Sequence, residues 1–274
     1  MGLGGWNPTD IVSSDKLLPT ASQVVVVSTD QGAGYLKALS SNTNRHQLAA
    51  EWVGTGLSEA LSLPTLDAGT IQVPTNKIVL YDGSFAEEGL GFITRQRSHI
   101  DWTGAIDELE RIPRPHDFAT LVLLDTWIRN WDRYPPLSHQ RQDAGNEKNV
   151  FLGWNDDDKT FELVPMDFGH SIVVDGQIGP TLRSKIEDDR VFGLFPAFRQ
   201  LLSENLWDVA FQKLQGIQGN QIDGVVTGIP SEWIATPETR DILRNFLHAR
   251  RDYMLAEKDR IIRYVLNDRL PFSD

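Results

Sequence analysis

The sequence predicts an α+β protein of two lobes, strand-rich in front and mainly helical behind. Three observations predict it. β-Branched and aromatic runs broken by Gly and Asn turns dominate residues 23–94, whereas helical spacing of apolar residues dominates the rest. With 274 residues, 40% of them hydrophobic, the chain can fill two cores that share a cleft. No internal repeat points to an array instead. The expected division is 1–94 for the front lobe and 95–274 for the back lobe, joined near 94–98.

Taken in order, residues 1–22 are rich in Gly, Pro, Ser and Thr and read as an irregular lead-in. Residues 23–28 are a β-branched strand, 29–34 a glycine-containing turn and 35–39 a second strand carrying Lys37. That turn is a candidate phosphate-covering loop. Leu48, Trp52, Val53 and Leu57 recur at helical spacing over 46–61, and Leu63-Pro64 stops the helix. Residues 68–73 and 89–94 read as strands, while 77–81 is too short to assign. A short helix is expected over 101–109. A longer one over 115–129 has Phe118, Leu121, Val122, Leu124, Trp127 and Ile128 as its apolar face. Residues 149–154 and 161–165 form a hairpin across an acidic turn. Helices follow over 198–207, 207–214 and 236–266, the last burying Leu243, Phe246, Leu247, Tyr253, Met254, Ile261 and Val265.

Composition excludes several classes of function. The net charge of −12 is wrong for a protein that wraps phosphate backbones, so no nucleic-acid partner is expected. The absence of cysteine removes disulfides, thiolate metal sites and a cysteine nucleophile, and fits a reducing cytosol. The first residues lack a basic region followed by an apolar stretch, and Trp6 stands where acylation of Gly2 would favour Ser or Thr. The longest apolar runs, such as 24–27, are far too short to span a bilayer. A cytoplasmic protein with no membrane partner is the expectation. The histidines show no zinc-binding pair spacing, and Gly-x-Ser-x-Gly is absent.

The chemistry lies in an ordered set of polar residues. Asp132 follows the apolar helix in Asn130-Trp131-Asp132-Arg133, Asn149 opens the hairpin, and Asp167 closes it in Met166-Asp167-Phe168-Gly169. Phosphoryl transfer needs one carboxylate to orient the attacking hydroxyl, and a carboxylate with a carboxamide to hold Mg²⁺. Asp132 suits the first task, with Asp125 as a competitor that helical burial would pair with Arg129 or Arg133. Asp167 and Asn149 suit the second, with Asn146 as an alternative to Asn149. Oxygen ligands of this kind favour Mg²⁺ over zinc. Lys37, mid-strand, can reach phosphate oxygens, and a carboxylate on the following helix can fix it: Glu51, or Glu59 on the same helix. His170, beside Asp167, either enters the site or makes a structural hydrogen bond. Each residue also has a plain reading as surface lysine, helix-end Asp or turn Asn.

These residues resemble the HipA-like kinases, within the wider set that includes the phosphatidylinositol kinases. The likeness rests on Tyr35-Leu36-Lys37, Leu48-Ala49-Ala50-Glu51-Trp52, Gly91-Phe92, Asn130-Trp131-Asp132-Arg133, Asn149-Val150-Phe151-Leu152 and Val164-Pro165-Met166-Asp167-Phe168-Gly169. It implies a protein-kinase-like fold, with ATP and Mg²⁺ as cofactors and phosphate transfer to Ser or Thr of a protein. It also implies that Lys37 binds ATP phosphates, that Phe92, Ile93 and Thr94 line the adenine pocket, that Asp132 is the catalytic carboxylate and that Asn149 and Asp167 hold magnesium. An antitoxin-like regulator is a further candidate partner. Two departures stand out: Tyr134 follows Asp132-Arg133, and 135–148 is inserted before Asn149. Two other readings use the same scaffold: a catalytically silent binding module, and AMP transfer.

Overall fold

Short turns and one-sided burial make the front strands a single antiparallel sheet. The computed structural model describes residues 3, 5–136 and 145–266. In it the sheet comprises β1 (Ile11–Leu17), β2 (Val25–Thr29), β3 (Gly32–Lys37), β4 (Ala68–Val73) and β5 (Gly89–Arg95), in the order β1-β2-β3-β5-β4. The β2–β3 turn closes on Gly32, whose φ of +109° is open to glycine and costly for other residues. The strand period of two then sorts the side chains. Leu36 and Ile93 join Trp6, Val25, Val27 and Ile71 in an outer core. Lys37 pairs with Phe92 and Tyr35 with Thr94 across β3 and β5, and these four line the cleft.

β1 corrects the expected irregular lead-in. Its interior residues are all exposed and two register shifts interrupt its pairing with β2, so an edge strand leaves no apolar alternation to read. The stretch 77–81 makes only an isolated bridge, Val79 to Phe85.

Helix α1 (Arg45–Ala60) begins at a capping box in which Asn44 and Gln47 exchange side chain–backbone hydrogen bonds. Every residue from Leu48 to Ser58 is buried. One core joins α1 to the helices that follow: Trp52 Nε1 donates to the Val225 carbonyl at 3.2 Å, and Trp233 Nε1 donates to the Leu90 carbonyl at 2.9 Å.

The back half opens with β6 (His99–Asp101) and α2 (Ile106–Leu109), where one helix over 101–109 was expected. Gly104, at φ +92°, separates them. β6 pairs with β7 (Val150–Asn155), and β7 with β8 (Thr160–Pro165), in a three-stranded antiparallel sheet. Between β6 and β7 runs α3 (His116–Ile128), buried on every side rather than on one face because α1, α4 (Pro196–Leu201), α5 (Glu204–Gly216) and α7 (Pro237–Ala256) surround it. α6 (Gly219–Thr227) was not anticipated: two glycines weaken its propensity, and it buries only Ile222 and Val226. The expected helix over 236–266 breaks at Glu257 into α7 and α8 (Lys258–Leu266), where Lys258 pairs with Asp208 of α5 at 2.7 Å. Among the described residues no helix is long and apolar enough to cross a membrane.

Arg250 of α7 closes this half. Fully buried, it donates to the carbonyls of Thr126 and Trp127 in the last turn of α3, and to those of Lys185, Ile186 and Asp188. A cation here answers the negative end of the α3 dipole and its unpaired carbonyls. Arg250→Leu is expected to lower the unfolding free energy by about 3 kcal/mol or more, since each buried carbonyl left unpaired costs about 1–3 kcal/mol. Urea denaturation measures it, and a loss below about 1 kcal/mol would contradict the clamp.

Candidate active site

The loop after α3 is held from beneath. Arg129 caps the helix at φ +55°, a left-handed conformation uncommon outside glycine, and the Asn130 amide closes the turn on the Asp125 carbonyl at 2.8 Å. Asp125 is buried within α3 and accepts from Asn130 Nδ2 at 3.0 Å and from Arg133 Nε at 2.7 Å. Burial pushes the Asp125 carboxyl up, opposed by the Arg133 guanidinium. A side chain on Gly193 would put its Cβ 2.3 Å from that carboxylate, so glycine is required there. Asp125 is therefore the anchor of the loop, and Asp132 is the carboxylate left open to the cleft. Asp132 Oδ2 accepts from Asn149 Nδ2 at 2.7 Å and from Asn146 Nδ2 at 3.4 Å. Both asparagines thus reach Asp132, Asn149 more closely. Arg133 ties the two segments by donating to the Asn149 carbonyl.

A second cluster sits at the foot of the front sheet. Lys37 Nζ lies 2.5 Å from Glu51 Oε1 and 2.6 Å from Asp167 Oδ1. Glu51 Oε2 accepts from the Phe168 amide at 3.0 Å, so one buried carboxylate links β3, α1 and the turn after β8. Glu59, the alternative partner, is exposed. Asp167 adopts φ +57°, and the Phe168 ring behind it packs so close to Gly54 that a Cβ there would fall 2.1 Å from the ring. Burial works against the charge on Lys37, but the Asp167 and Glu51 carboxylates outweigh it and raise its pKa. Burial pushes the Glu51 carboxyl up, whereas for Asp167 the Lys37 ammonium overcomes burial and holds the carboxyl below its usual range.

The two clusters face one cavity of about 630 Å³, which Lys37, Glu51, Phe92, Thr94, Asp132, Asn146, Asn149 and Asp167 all line. Ile93 does not line it: adjacent strand residues point to opposite faces, and its side chain lies in the outer core. The turn 29–34 does not line it either. The roof comes from 18–22, the β1–β2 connection, where Leu18 N donates to the Val24 carbonyl at 3.0 Å and Val24 N to Thr20 Oγ1 at 3.0 Å. Ser22 Oγ in that roof is buried with no hydrogen-bond partner among the described residues. His170 lines the cavity and is exposed.

Sequence reasoning missed the apolar wall. Val24, Val26, Tyr35 and Leu66, with Leu18, Phe151 and Met166 packed against them, form a small core spanning the front sheet and the β7–β8 hairpin. Part of it was within reach, since Tyr35 lies two residues before Lys37 and so shares its face, and Met166 directly precedes Asp167.

No cluster of three or more His, Cys, Asp or Glu able to cage a metal occurs among the described residues. A cation in this cleft would take Asp167, an Asn carboxamide and oxygens of a bound phosphate as ligands, a set that suits Mg²⁺. The residues fit: two carboxylates meet one ammonium at Lys37, leaving negative charge at the base of the cavity. Of the insertion 135–148, residues 137–144 lie outside the described residues. Its end returns to the loop, with Asn146 N donating to the Arg133 carbonyl at 2.9 Å.

The model of a family described as HipA-like kinase matches residues 21–260. No curated protein matches the chain by sequence. Among solved structures, the Helicobacter pylori proinflammatory kinase CtkA is similar at a TM-score of 0.61 and 13% identity, with 96% of this chain and 99% of that chain covered; this likeness is one of fold. The MAP kinase LmaMPK10 from Leishmania major aligns over 96% of this chain and 89% of its own at 11% identity, with a TM-score of only 0.28.

Proposed function

The chain belongs to the HipA-like kinases, and from that membership we propose that it transfers the γ-phosphate of ATP, with Mg²⁺, to a serine or threonine hydroxyl of a protein. The observation that carries this reading is the convergence of Lys37–Glu51, Asp132–Asn149 and Asp167 on one cavity. Lys37, fixed by Glu51, places a cation where nucleotide phosphate oxygens would lie. The apolar wall around Val26, Tyr35, Phe151 and Met166 offers a flat slot for a purine. Asp132, open to the cleft and oriented by Asn149, accepts the proton of the acceptor hydroxyl. The hydroxyl oxygen bonds to the γ-phosphorus as the bond to the ADP oxygen breaks. Asp167 and Asn149 would hold Mg²⁺, which when bound neutralises phosphate charge.

The whole chain incubated with Mg²⁺ and either γ- or α-labelled ATP, with dephosphorylated casein as acceptor, tests this. Label should reach protein from the γ position only. Transfer from the α position would establish AMP attachment instead. No transfer from either label, together with no thermal shift by ATP and Mg²⁺, would leave a silent binding module.

A further inference from the structure

A second cavity, of about 410 Å³, shares His170 with the first and takes no part in the chemistry above. Arg129, Trp131, Asp175, Lys185 and Arg190 complete most of its wall. In a chain of net charge −12, three cations converging on one hollow need a reason. Asp188 holds two of them side by side. Its Oδ2 accepts from Arg129 Nε at 2.8 Å and Arg190 Nη2 at 2.6 Å, and its Oδ1 from Arg190 Nε at 2.7 Å. The guanidiniums of Arg129 and Arg190 lie against the Trp131 and Phe192 rings, the Arg190 carbon 4.6 Å from the Trp131 ring centre. Asp189 turns away to Arg260.

The arginines are not saturated by this pairing. Arg129 engages Asp188 through Nε alone, and its two terminal nitrogens have no partner among the described residues; neither has Lys185 Nζ. Among the lining residues Arg129, Lys185 and Arg190 outnumber the one carboxylate, Asp175; Asp188 pairs with both arginines from behind, and the charge of Asp189 also reaches Arg190. Two guanidiniums held by one carboxylate, with a lysine lining the same hollow, are suited to a carboxylate or phosphate group. Arg129 also lies three residues before Asp132, on the same anchored loop.

Resting on the kinase reading, we infer that this pocket docks an anionic side chain of the polypeptide acceptor, so that the enzyme selects hydroxyls near an acidic or already phosphorylated residue. The shared chemistry is a carboxylate or phosphate on a peptide, and the experiment separates the two.

Binding is measured first, by calorimetry without ATP or Mg²⁺. The probes are serine peptides of one sequence carrying Glu, phosphoserine or Ala at each neighbouring position in turn, and inorganic phosphate. At least one Glu or phosphoserine peptide should bind, and its Ala counterpart should not. Lys185→Glu and Arg190→Gln should each weaken that binding tenfold or more; the Lys185 side chain has no partner among the described residues, so its variant tests the pocket even if Arg190→Gln unfolds. The same peptides are then used as acceptors with labelled ATP, where Lys185→Glu should raise KM tenfold with kcat little changed. Equal binding of Ala peptides, unchanged binding by the Lys185 variant, or inorganic phosphate binding as tightly as the peptides would each overturn the inference. Binding of the anionic peptides with phosphorylation of none would keep the pocket and remove the kinase reading beneath it.

Discussion

Asp132→Asn is expected to lower kcat by about 10²–10⁴-fold, the usual contribution of a positioned proton acceptor, while the protein stays folded. The substitution removes the basic oxygen and preserves shape. An Asn oxygen can still accept from the Asn149 amide, which now meets Asp132 Oδ2 at 2.7 Å. The loop itself does not rest on Asp132, because Asp125, Asn130, Arg133 and the tight approach of Gly193 hold it. Asp125→Asn offers the contrast. It should also reduce activity, but by leaving the buried Arg133 guanidinium without its counter-charge, and so with a large loss of stability. Steady-state transfer from labelled ATP and circular dichroism on both variants separate chemistry from folding. An Asp132→Asn protein with unaltered kcat would remove this residue from the reaction.

Lys37→Met should be the most damaging single change in the front sheet. It leaves the buried Glu51 and the half-buried Asp167 facing each other without the ammonium that now lies 2.5 and 2.6 Å away. Breaking a buried charge pair in this way costs about 3–5 kcal/mol. The pH dependence has a definite sign. Burial already raises the Glu51 carboxyl, and Lys37 is the main group that holds Asp167 below its usual range, with smaller help from Glu51 and His170. Without the lysine both carboxyls bind protons more readily in the folded than in the unfolded protein, whose carboxyls titrate near about pH 4. Stability lost this way is fully lost above the raised folded pKa values and recovers as pH falls through them. Urea denaturation of variant and parent at pH 7.5 and pH 5 should show a smaller gap at the lower pH. Equal gaps would mean that the damage comes from packing rather than unpaired charge.

What the sequence could and could not disclose follows from the kind of signal each feature leaves. Lys37, Glu51, Asp132, Asn149 and Asp167 were legible because each sits at the end or on the inner face of a strongly patterned element, and polar residues in such places are few. Local patterning also revealed the β7–β8 hairpin and α1. The cavity roof was not legible. Residues 18–22 are positioned by β1, and an exposed edge strand carries no alternation. The wall expected to face adenine was assigned to consecutive residues 92–94, whereas a pleated strand can offer only alternate ones, so Ile93 falls on the far side. The run Val24–Val27 is apolar throughout and cannot say which valines face which side. Arg250 reads as an ordinary charged helix residue, and Arg129 as an alternative to Arg133 for pairing with Asp125, whereas it pairs with Asp188. Only tertiary packing shows that one clamps the carbonyls of α3 and that the other lines a cavity.

The enclosure of α1 from Leu48 to Ser58 bears on how such an enzyme can be controlled. A methyl on Gly54 would strike Phe168, one on Gly56 would press on Val225 at 3.0 Å, and Trp52 is hydrogen-bonded to α6. Rotating this segment outward, which would part Glu51 from Lys37, means tearing open the shared interior rather than sliding along a lubricated seam. Control at that point would therefore carry the cost of opening a packed core. The 18–22 canopy, which no helix packing of this kind holds, is the part of the cavity wall that can shift at lower cost.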